Sequence, residues 1–190
     1  LAEARGAYVI RSYANVAYDP QALSQLLQLA GEREGRSVEG ERKPYDVAVF
    51  ADSAGMLGVR DLFDFYEPSV TDPIVPEGPH PASDFGGNLL SFASAATANK
   101  AFSKDFLLRC AKDSGCSTWL GLECAALSRA QRIVPTRRPL ATLRCLPFTG
   151  TGLLGAKAML DDAYAGFFEA RALFAQDDAA LGGIDAAAAR

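Results

Sequence analysis

The sequence predicts a mainly α-helical fold: a helix-rich, bundle-like domain with a few short strands and one proline-rich extended segment. Three observations predict it. Alanine and leucine together number 56, against 20 for valine, isoleucine and threonine. The first pair is cheap to hold in a helix, whereas β-branched chains lose rotamer freedom there. Apolar residues also recur at helical spacing along 23–30 and 153–174, and half of the ten prolines crowd into one short stretch. An α/β fold is the alternative, because the runs 45–51 and 140–146 read as strands.

The elements follow in chain order. Residues 7–18 are compatible with either a strand or a helix. A helix is expected from Asp19 to about Ala30: Asp19 caps the free amides, Pro20 suits the first helical position, and Gly31 ends it. Its stripe is Leu23, Leu26, Leu27 and Ala30. The charged, glycine-containing stretch 32–43 reads as a loop. Tyr45–Ala51 is the best strand, with a helix expected from Met56 to Tyr66.

Pro68, Pro73, Pro76, Pro79 and Pro81 then exclude a helix and favour an extended strap. Helices are expected over 88–102, 104–112 and 117–132, with Gly115 in the break of an αα-hairpin. A strand at 140–146 precedes a last helix over 153–174, striped by Leu153, Ala156, Leu160, Ala163, Phe167, Ala170 and Phe174. The 190 residues suffice for a single domain, 1–190, with sub-halves 1–67 and 86–176 joined by 68–85.

Composition excludes several classes. With 49% apolar and 22% charged residues, the chain is neither disordered, collagen-like nor a disulfide-dense miniprotein. No uncharged apolar run reaches the roughly 18 residues of a membrane span, which leaves peripheral association open. The net charge of −4 argues against nucleic acid as a partner. Charge is uneven, however. Residues 124–160 hold no acid but contain Arg129, Arg132, Arg137, Arg138, Arg144 and Lys157. The five arginines are therefore candidates for a face that docks an acidic partner or anion, against the simpler reading of solvated charges spread over several elements.

Two motifs carry possible chemistry. Gly150-Thr151-Gly152-Leu153-Leu154-Gly155 follows a possible strand and opens a helix, and it resembles the Rossmann dinucleotide loop over about fifteen residues. That resemblance implies a pyrophosphate held by Gly150, Gly152 and Gly155. The second strand with its ribose-binding acid is missing from the sequence that follows. The segment 47–55 ends in Asp52-Ser53-Ala54-Gly55 and resembles the Gly-Asp-Ser block of GDSL-type hydrolases, with Ala51 in place of glycine. It implies Ser53 as nucleophile on a sharp strand-to-helix turn. The single histidine, His80, would be its base, oriented by Glu77, and Gly86-Gly87-Asn88 would stand where that family has an oxyanion block. The family places its acid and histidine last, far downstream, and this chain does not.

Cys110, Cys116, Cys124 and Cys145 lack zinc-site spacing. Buried thiols are one reading, and disulfides across the hairpin or with Cys145 are another. Asp161-Asp162 and Asp177-Asp178 read as solvated charge, so no metal and no cofactor is predicted. The chain opens on Leu1 rather than methionine. Read as a processed start, this raises the expectation of a protein of an organelle, plastid or mitochondrion, or of another processed compartment such as the secretory route. The leading functional expectation is a non-catalytic subunit that binds other protein subunits in a larger assembly. The alternatives are a small serine hydrolase using Ser53 and His80, and a nucleotide or small-molecule binder at 150–155.

Overall fold

Val47, Val49, Ala48 and Phe50 are all buried, but alternate residues belong to two different apolar clusters. Such alternation in a fully covered strand means helices lie on both faces of its sheet. The computed structural model describes residues 3–12, 16–29, 45–56, 65–67, 78–85, 89, 99–145, 161, 164–176 and 181. It shows a mixed α/β fold, which corrects the mainly α expectation.

Among the described residues, seven strands form one sheet: β1 (Tyr8–Ile10), β2 (Val16–Tyr18), β3 (Val47–Met56), β4 (Phe65–Glu67), β5 (His80–Pro81), β6 (Lys100–Ser103) and β7 (Arg132–Cys145). The main path runs β1-β6-β3-β7-β2, with β4 paired to β3 and β5 to β7. Among the described residues, only the central β3–β7 pair is parallel. Helix α1 (Ala22–Leu29) covers one face through Ala22 and Leu26. Helices α2 (Lys104–Ser114), α3 (Trp119–Arg129) and α4 (residues 164–173) cover the other. Strands from residues 8–67 and from 100–145 alternate within this one sheet.

The departures from the sequence reading have physical reasons. Residues 100–102 are expected at the end of a helix but lie in β6, a strand buried along its whole length. Its Phe102 faces the three-helix side and Ala101 the α1 side. On the α1 side the sheet is lined by Ala48, Ala101 and Ala141, and Tyr45, Phe50 and Leu140 supply larger groups to the same cluster. Tyr8 stacks on Tyr45 with ring centroids 4.5 Å apart. Here alanine lines a close-packed sheet, so its helix propensity is overridden by context.

Strand β7 is also longer than expected, because Pro135 and Pro139 do not end it. They pair with Val49 and Ala51, where the register with β3 shifts, and such irregularities accommodate residues that cannot donate to a ladder. Residues 65–66, expected as helix, lie in β4. The expected strap begins outside the described residues but ends as β5, followed by a 3-10 turn at Ala82–Phe85 that buries Phe85.

Other elements match their signals. Asp19 Oδ1 accepts from the amide of Gln21 at 2.7 Å before α1, although Leu23 of the expected stripe is 51% exposed. Gly115 closes α2 at φ 65°, a left-handed position that favours glycine, and turns the chain into α3. The loop 32–43, most of 56–66, and residues 150–155 lie outside the described residues.

Candidate functional site

The sequence candidates are not gathered in one place. Ser53 lies within β3, paired with Tyr66 on one side and Thr142 on the other, so its backbone is not a strand-to-helix turn. His80 opens β5 opposite Ile133, which in turn lies opposite Val47. Six residues of strand therefore separate the level of His80 from Ser53, or roughly 20 Å. His80 Nδ1 instead lies 2.8 Å from Asp84 Oδ2, its ring edge-on to Phe85. Glu77, 86–88 and the glycines Gly150, Gly152 and Gly155 lie outside the described residues.

The arginines divide between the two faces of the sheet. Arg129 ends α3 with its guanidinium 5.8 Å from the centre of the Phe174 ring, on the three-helix side. Arg138 is exposed on the other side, with Nη1 3.5 Å from Gln25 Oε1 of α1. Arg132 is half-buried at the start of β7, where its amide and that of Gln131 donate to Asp46 Oδ2. Arg137 and Arg144 lie farther along β7.

Cys110, Cys116 and Cys124 are free thiols, which removes the disulfide reading for these three. Burial pushes all three up from the ordinary thiol range, Cys124 to about 12 with Glu123 adding to the effect. Such thiols are poor nucleophiles.

Two features were not singled out from the sequence. The first is a buried ion pair. Lys100 on β6 and Glu123 on α3 meet at 3.0 Å, with side chains 1% and 3% exposed. Lys100 also donates to Asn99 Oδ1 at 2.8 Å, and Trp119 Nε1 donates to the other Glu123 oxygen at 3.0 Å. Arg11 lies over the Trp119 ring. Burial raises the Glu123 carboxyl above its ordinary range, opposed by Lys100 and Arg11. Both carboxylate oxygens are engaged and closed from water. This arrangement braces α3 against the sheet rather than offering an acid or base to a substrate. Its signal was a lone acid in the apolar run of α3.

The second feature is how α4 is held. Glu169 reaches the start of α3, where helix amides lack internal partners. It accepts from the Ser117 amide at 2.6 Å, the Ser117 hydroxyl at 2.7 Å and the Thr118 amide at 3.0 Å, and also from the Thr118 hydroxyl. Thr118 Oγ1 in turn accepts from the Gly121 amide at 3.0 Å. Desolvation acts to raise the Glu169 carboxyl, but the hydrogen bonds from Thr118 and Ser117 outweigh it and lower it to about 2.

Close approach makes this contact possible. A Cβ on Gly121 would collide with the Glu169 carboxylate, and one on Gly166 would lie 2.5 Å from Leu120 Cβ. Ala170 and, just past the end of the helix, Phe174 complete the inner face of α4.

Fixing that inner face determines what α4 turns outward. Tyr164 and Phe168, one turn apart, are 64% and 70% exposed. Asp161 and Arg171 are exposed as well. The result is an aromatic stripe on a rigid support, and it is the candidate functional site. The apolar stripe read from the sequence follows the inner side of α4, so the outer one passed unnoticed. Compared with known proteins, the chain matches no protein-family model and no curated protein. Among the described residues no helix is long and apolar enough to cross a membrane.

Proposed function

We propose that this protein is a non-catalytic subunit that binds protein partners within a larger assembly, and that the outer face of α4 is its docking surface. The observation that carries the reading is the exposed pair Tyr164 and Phe168. Leaving one large apolar side chain in water forgoes roughly 1.5–3 kcal/mol of burial. Aromatic anchors of this kind are enriched in the centres of protein interfaces. The close helix contact and the Glu169 cap hold α4 in place, so little ordering is left to oppose docking.

The test compares native mass in source extract with that of the purified 20.1 kDa chain. A complex well above the monomer is expected in extract. Tyr164→Ser with Phe168→Ser should return it to monomer at unchanged melting temperature. A monomeric wild-type chain in extract, or a complex indifferent to the double substitution, overturns the reading.

A further inference from the structure

We draw no further inference here: the strongest candidate, the outward aromatic face of α4 at Tyr164 and Phe168, belongs to the docking surface already described, and nothing in the structure shows what covers it.

Discussion

At the scale of single residues, the buried Lys100–Glu123 pair has the largest energetic consequences. Two charges withdrawn from water are repaid only while both are present. Lys100→Met should therefore cost about 3–5 kcal/mol in urea denaturation, because the Glu123 carboxylate is left uncompensated. The double substitution Lys100→Met with Glu123→Leu should be close to neutral, or more stable than wild type. The raised Glu123 carboxyl adds a pH signature. A folded state that holds its proton to higher pH loses stability as pH rises above the ordinary carboxyl range. The cost of Lys100→Met should thus be smaller near pH 5 than near pH 8. Equal costs at both, or a double variant as unstable as the single, would show that charge is not what the pair contributes. Little of this was legible in the sequence. Lys100 lay in a segment expected to be helical, and only the formation of β6 brings it opposite α3.

Between elements, the Glu169 cap shows how one side chain sets the position of a helix. The α2–α3 hairpin was readable from local signals: apolar periodicity on both arms and Gly115 in the break. Its partner α4 was readable as a helix, because Ala170 and Phe174 keep the apolar period. Which acid would cap α3 was not, since 51 residues separate Thr118 from Glu169 and only folding makes them neighbours. The carboxyl is lowered from 4.5 to about 2, so the folded state holds its proton less tightly than the unfolded chain. Its stabilisation is therefore complete above about pH 4.5 and is lost as pH falls from there toward 2. Glu169→Gln should remove about 2 kcal/mol at pH 7, the scale of hydrogen bonds to a charged group. It should also flatten the pH dependence of the urea midpoint between pH 5 and pH 3. An unchanged slope would mean that other carboxylates set the acid limit of this protein.

Across the whole molecule, sequence reading recovered the strand at 45–51 and the hairpin but misjudged the class, and both outcomes have one cause. Strand β3 has Val47, Val49 and Phe50 to declare it, whereas β6 consists of Lys100, Ala101, Phe102 and Ser103. Alanine serves both a helix and the close-packed face of a sheet, and composition does not distinguish the two. The split into sub-halves rested on the prolines between 68 and 81. In the structure β6 and β7, from beyond that segment, flank β3, from before it. Each apolar cluster therefore draws residues from both sides of the strap, and the central strands contribute alternate residues to both clusters. Loss of either cluster should release the strands that support the other, so unfolding should be one cooperative event. The single tryptophan, Trp119, reports the three-helix side, whereas Phe50 lies wholly in the α1 side. Phe50→Ala should cost about 3–5 kcal/mol. The urea midpoint of Trp119 fluorescence should fall with that of far-UV circular dichroism, and by the same amount. If the fluorescence transition stayed in place while the circular dichroism split into two steps, the two faces of the sheet would be independent units. The observed alternation in β3 argues against that outcome, because Phe50 leaves its pocket only by moving the same strand that carries Val49.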